Sequence, residues 1–220
     1  MQDLMDGKDN RPSQACDDAE ETARKAEFFR QAYQGWSPWD IGRPQPAFVE
    51  LEGQGLIQGA VLDVGCGTGE NALFMAGKGH DTWGIDIVAE AIEAAREKAR
   101  QRGLQAEFKV WSALQLAGLG RTFGTVIDSG LFHTFSDDER LCFVSHLAAV
   151  LEPGGRYCML CFSDRQPPGP GPRRITRQEI YDSFQYGWKV SEIRAVNFVS
   201  RPAPLGHGDI LGWLAVVERV

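Results

Sequence analysis

The chain has 220 residues, 43% hydrophobic and 24% charged, with a net charge of −7 at neutral pH. That length suits one domain around a single large core. No block of lysine or arginine offers a face to phosphates, which argues against a nucleic-acid partner, and no apolar run approaches the ~20 residues that cross a membrane.

Residues 1–22 are polar, acidic and without periodicity, so a mobile tail is expected. Its opening, M-Q-D-L-M-D-G-K-D-N-R-P-S, lacks the basic start and apolar centre of a secretion signal, and a cytoplasmic protein follows as the expectation. From Ala23 to Tyr33, Ala26, Phe29 and Tyr33 recur at helical spacing. Gly35-Trp-Ser-Pro-Trp-Asp-Ile-Gly-Arg-Pro-Gln-Pro46 is then broken by three prolines, yet it carries two tryptophans and an isoleucine that need burial. It reads as a lid or wall, with a lid region spanning 23–46 and a single domain over 23–220. Ala47 to Leu51 begins a helix.

Strand and helix signals alternate after that: strand 60–64, helix 69–78, strand 81–85, helix 88–102, strand 106–110, a loop or short helix 112–119, strand 123–128, helix 136–151, strand 155–162. On helix 88–102 the stripe Val88, Ile92, Ala95 and Ala99 faces inward, Glu93–Arg96 and Glu97–Arg100 pair on the wet face, and Gly103 ends it. The alternation predicts a parallel sheet with helices on both faces and right-handed crossovers. After a P-P-G-P-G-P loop and helix 176–185, Val190–Ser200 and Ile210–Glu218 are separated by Pro202, Pro204 and Gly206 and read as an edge hairpin.

The stretch A-V-L-D-V-G-C-G-T-G-E (60–70) carries the chemistry. A buried strand runs into Gly65, Gly67 and Gly69, and alternate glycines let backbone approach a ligand without a Cβ in the way. The turn opens a helix whose free N–H groups point outward. The next strand ends at Asp86, where a carboxylate is placed to accept from two ribose hydroxyls. A dinucleotide fingerprint would need a third glycine at the position of Glu70. Acids at Asp63 and Glu70 repel a pyrophosphate and favour a ligand with a positive amino-acid end.

This arrangement resembles motif I of the class I S-adenosylmethionine-dependent methyltransferases, D-x-G-x-G-x-G, with the strand-2 acid of that family. The resemblance covers roughly residues 35 to 220. It implies an α/β, Rossmann-like seven-stranded sheet of order 3-2-1-4-5-7-6, with one antiparallel strand and helices on both faces. It implies S-adenosyl-L-methionine as cofactor, its methionine half against Gly65, Gly67 and Gly69 and its ribose on Asp86. Ile87 is then placed beside the adenine; Ser112 stands where the family often has an adenine-contacting acid, and Trp111 either covers the adenine or belongs to the core. Asp128 is expected to face the methionine part. In the lid, which is similar to that of the thiopurine and thiol methyltransferase group, Trp39 is expected over the sulfonium and Arg43 on the cofactor carboxylate.

The strand-4 exit, Asp128-Ser-Gly-Leu-Phe-His-Thr-Phe135, lacks the D/N-P-P-Y/F signature of enzymes acting on amide or base nitrogens. His133 is the candidate catalytic group, either as a base near the accepting atom or as a shaper of its pocket. Phe162-Ser-Asp-Arg165 and the Arg173–Arg174 pair are candidates to line the acceptor pocket. The acceptor implied is a small, possibly heterocyclic molecule with a nucleophilic N, S or O, for an enzyme acting as monomer or dimer. A nicotinamide oxidoreductase and a catalytically silent cofactor-binding protein stand as alternatives. No metal site is expected: Cys158 and Cys161 form a C-x-x-C on a strand, where positions three apart face opposite ways.

Overall fold

The computed structural model describes residues 19–35, 37–201 and 210–220. The acidic tail up to 18, the lid residue Trp36 and the Pro202, Pro204 and Gly206 turn lie outside the described residues. Helix α1 (Ala19–Gln34) starts at Ala19, so the last residues assigned to a tail are helical, and α2 (Pro46–Gly53) follows the lid segment. Strands β1 (Val61–Val64), β2 (Thr82–Asp86), β3 (Glu107–Val110), β4 (Phe123–Ser129) and β5 (Leu151–Phe162) alternate with α3 (Glu70–Gly77), α4 (Ala89–Arg102) and α5 (Asp137–Val150). Helix α6 (Arg177–Ser183), β6 (Trp188–Phe198) and β7 (Ile210–Arg219) complete the described chain, and short 3₁₀ turns occupy Ala113–Leu119 and Phe132–Thr134.

The seven strands lie in the order β3-β2-β1-β4-β5-β7-β6. Pairing is parallel from β3 to β5, and β7 runs antiparallel to both β5 and β6. Both the expected order and the single antiparallel strand are present. Every residue of β1 is buried, which accounts for its V-L-x-V run: a central parallel strand has no wet face. Cys158 and Cys161 fall into different core clusters, on opposite faces of the sheet.

Local sequence sets the helix starts. Ser136 and Thr176 each accept from the backbone N–H three residues on, while Glu139 and Glu179 reach back to the cap, forming two capping boxes. The order in which strands are added reverses between the parallel β1 and β4, and the loops leaving those two strands open a crevice at their carboxyl ends, where such sheets bind ligands.

Candidate functional site

The turn from β1 to α3 holds Gly65, Gly67 and Gly69 at positive φ. Gly65 and Gly67 line the cleft, and packing supplies a second reason for the glycines. A Cβ on Gly69 would meet Ala95 at 2.8 Å and the Phe108 ring at 3.0 Å, so this glycine lets α4 and β3 pack beneath the turn. A Cβ on Gly67 would come within 2.6 Å of the Tyr33 hydroxyl, so α1 lies over the loop. Tyr33 was legible only as the last apolar position of a helix, and its place over the glycines had no sequence signal.

Two carboxylates sit under the loop. Asp63 is 1% exposed. Its Oδ2 accepts from Ala72 N at 3.1 Å, while its Oδ1 is buried without a partner. Burial holds this carboxyl well above the usual range, with Asp128 and Asp86 adding to the rise. Asp86 accepts from Gly67 N and from Val88 N, both at 2.9 Å, so it organises the loop and the start of α4 whatever else it binds. Burial raises its carboxyl despite those backbone bonds. Glu70 departs from its expected part: Lys98 and Arg102 each pair with it at 2.8 Å, so its charge is neutralised from α4 and does not select a ligand.

A narrow cleft opens above this floor, lined by Trp39, Arg43, Gly65, Gly67, Asn71 and Ser129 among others. The lid is tied down at its far end. Buried Gln45 donates its N–H to Asn71 Oδ1 at 2.9 Å, and its side chain exchanges two hydrogen bonds with the backbone of Val199, at 2.8 and 3.2 Å. Trp39 packs edge-on against Phe29 and Tyr33, each at 5.8 Å. Arg43 is exposed at the cleft and has no ion-pair partner among the described residues.

Other expected residues are engaged elsewhere. Asp128 is fully buried, and its oxygens accept from Leu131 N at 2.7 Å, Phe132 N at 3.0 Å and the Tyr157 hydroxyl at 2.6 Å. It shapes the turn after β4 from below and does not face the cleft; burial pushes its carboxyl up to about 6. The Trp111 indole donates to Gln115 O at 2.9 Å and its ring lies against Gly118, which turns it toward the 3₁₀ segment. Ser112 Oγ accepts from Leu114 N at 3.2 Å as that segment's cap. Ile87 is half-buried just beyond Asp86, at the end of β2.

His133 is 5% exposed. Its Nδ1 accepts from Phe162 N at 3.0 Å, which puts the ring proton on Nε2, directed at the backbone of Gly130. Burial, then the charges of Arg140 and Arg174, push it down to about 3. A base needs a free lone pair and a pKa near the working pH, and His133 has neither. Its hydrogen bond joins the exit of β4 to the end of β5. Around it stand Phe162, with ring centroids 4.7 Å away, and Phe198 at 6.2 Å.

A methyltransferase domain model matches residues 61–155. A 2-heptyl-1-hydroxyquinolin-4(1H)-one methyltransferase of Mycobacteroides abscessus is 33% identical over 183 residues, which is 78% of this chain and 81% of that protein. The chain belongs to the class I S-adenosylmethionine-dependent methyltransferases. A probable thiol methyltransferase 2 of Arabidopsis thaliana is 28% identical over 66% of this chain and 65% of its own length. A solved structure concerned with conversion of a disulfide bond into a thioacetal group during echinomycin biosynthesis is 38% identical, with a TM-score of 0.81 over 89% of this chain and 93% of that one. Family membership decides against the nicotinamide alternative. Among the described residues, no helix of this methyltransferase is long and apolar enough to cross a membrane.

The residues present fit S-adenosylmethionine. An orphaned acceptor on Asp63 lies below the glycine loop and an unpaired guanidinium, Arg43, lies above it. The Arg43 cation complements the carboxylate of a zwitterionic amino-acid end, and the free Asp63 oxygen under the loop is an acceptor for a donor brought against it.

Proposed function

We propose that this enzyme methylates oxygen, sulfur or nitrogen of a small, planar aromatic or heterocyclic acceptor. The observation that carries the reading is an aromatic group beside the cleft, with half-buried Phe162 at its surface and buried His133 and Phe198 behind it. Ser129 lines the cleft and Gly130 follows it; a Cβ on Gly130 would meet the Phe198 ring at 3.1 Å and His133 Nε2 at 3.4 Å. Phe162 closes the group, 5.2 Å from Phe198. Flat rings on three strand ends suit a flat ligand. The relatives named for a hydroxyquinolinone and for a thiol support the same class, and the net charge of −7 speaks against a nucleic-acid acceptor.

On this reading, Asp86 and Ile87 hold the nucleoside end of the cofactor, and Asp63, Arg43 and the loop of Gly65, Gly67 and Gly69 hold the amino-acid end, under Trp39. When bound, S-adenosylmethionine supplies a methyl group already on a good leaving group. The protein is then left with alignment and exclusion of water, an effect worth up to ~7–11 kcal/mol for ideal geometry. Tyr33 and Trp39 exclude solvent from above, and the wall of Phe162, His133 and Phe198 sets the acceptor plane. Label transfer from S-adenosylmethionine to a panel of aromatic thiols, N-hydroxyquinolinones, phenols and N-heterocycles is the test. Turnover confined to peptides or nucleic acid would overturn the reading.

A further inference from the structure

The Arg173–Arg174 pair divides into two unlike residues. Arg173 ion-pairs with Asp137 at 2.6 Å and with Glu179, and Arg140 also reaches Glu179, at 3.2 Å. Both nearby carboxylates are therefore taken. Arg174 has no carboxylate partner among the described residues. Its guanidinium instead donates to the carbonyls of Pro172, Pro167 and Pro170 at 2.7, 3.2 and 3.3 Å, and its Nε is buried without a partner. Neutral carbonyls fix a cation in place without cancelling its charge. The caged group lies 5.9 Å from the Phe162 ring centroid, so a net positive charge is held on the acceptor wall.

Among the described residues, the same wall offers no free proton acceptor. His133 has its lone pair on the Phe162 N–H and its N–H on Gly130. Asp128 spends both oxygens on three donors. The charged groups bearing on His133 are Arg140 from α5 and Arg174 from the proline-rich loop, both cations.

We infer that the acceptor binds as an anion against Phe162, which buried His133 and Phe198 back, with its charge set against Arg174, and enters the reaction already ionised. This rests on the reading of the enzyme as a small-molecule methyltransferase. The acceptor's lone pair forms the bond to the methyl carbon, the electron pair of the broken carbon–sulfur bond stays on sulfur, and no proton moves. The negative charge of the acceptor and the positive charge of the sulfonium vanish together. The class selected is aromatic thiols, N-hydroxy heterocycles and acidic phenols, which ionise near neutrality. Aliphatic alcohols are excluded.

Two thiophenols of different acidity, 4-nitro and 4-methoxy, test this with the full chain. The lower inflection of kcat/KM against pH should move with the thiol's own ionisation. Arg174→Met should lower kcat/KM for both by about 10–100-fold, the scale of losing a hydrogen bond to a charged group. S-adenosylhomocysteine affinity should stay unchanged, which shows the variant is folded; Arg173→Met should keep wild-type turnover and Arg174→Lys should recover part of it. As a readout without turnover, 4-nitrophenol should ionise at lower pH when bound to the wild type, seen as phenolate colour, and not when bound to Arg174→Met. An inflection fixed across acceptors would reveal a base on the enzyme and overturn the inference while leaving the small-molecule reading intact. Absence of the colour shift would overturn it as well. Failure to turn over any small acceptor would remove the reading beneath it.

Discussion

His133 is neutral in the folded protein and takes up a proton in the unfolded chain, and that difference has a measurable sign. Its ordinary pKa of 6.5 is pushed down to about 3. As pH falls through that window the unfolded state binds a proton that the folded state refuses, and stability drops by about 1.4 kcal/mol per pH unit. Asp128 works the other way: its carboxyl rises from 3.8 to about 6, so its contribution is full below 3.8 and is lost as pH rises through about 6. Between those limits the two slopes oppose. His133→Asn should therefore be most destabilising at pH 7, and its cost should shrink by about 1.4 kcal/mol per unit from pH 6 to pH 4 in urea titrations. The same variant should slow all acceptors alike, because it disturbs a wall; a loss confined to hydroxyl acceptors would restore the base. Asp86 has two jobs, so two variants separate them. Asp86→Asn keeps one acceptor oxygen and should weaken S-adenosylmethionine binding by about 1.5–3 kcal/mol in calorimetry, and Asp86→Ala should in addition lower ligand-free stability, since the N–H groups of Gly67 and Val88 lose their partner.

The elements over the cleft differ in how firmly they are held. Helix α1 has no buried residue and is tied across the mouth by Lys25 to Glu139 at 2.6 Å and, weakly, by Arg30 to Glu90 at 4.0 Å. The segment from Ser37 to Gln45 has no regular structure of its own, because its prolines forbid it. Gln45, the Ser37 hydroxyl on Ala32 O and Arg201 N on Pro38 O supply the missing hydrogen bonds, through side chains that pattern reading does not weigh. Amide exchange should therefore slow in α1 on adding S-adenosylhomocysteine and change little at 41–45; slowing confined to 41–45 would reverse the assignment of the mobile cover. The sheet was legible because apolar strands alternate with amphipathic helices at lengths that only a parallel crossover accommodates. So was the glycine turn, since positive φ leaves few alternatives to glycine. What α1 covers was not legible: Tyr33 reaches Gly67 across a distance in sequence that no periodicity spans. The same holds for Asp128 and His133, whose residue types suggested ligand chemistry while their long-range partners, Tyr157 and Phe162, had already claimed them.

At the scale of the whole molecule, ligand binding and folding are one equilibrium, and Asp63 is where they meet. A fully buried carboxyl with one unpartnered oxygen weakens the ligand-free protein, since burying a polar atom without a hydrogen bond is costly. A positive group on the ligand turns that cost into binding. S-adenosylhomocysteine at a hundredfold excess over its Kd should stabilise the fold by ~2.7 kcal/mol, and at ~2–4 °C per kcal/mol for a chain of this size the melting temperature should rise by about 5–10 °C. Asp63→Asn keeps an oxygen for Ala72 N and removes the ionisable group. The ligand-free variant should melt no lower than the wild type, yet its ligand-induced rise should shrink to a few degrees at the same ligand concentration. Thermal melts of both proteins, with and without ligand, read this directly. A variant that melts lower without ligand and keeps the full rise with it would make Asp63 a structural anchor of α3 and nothing more.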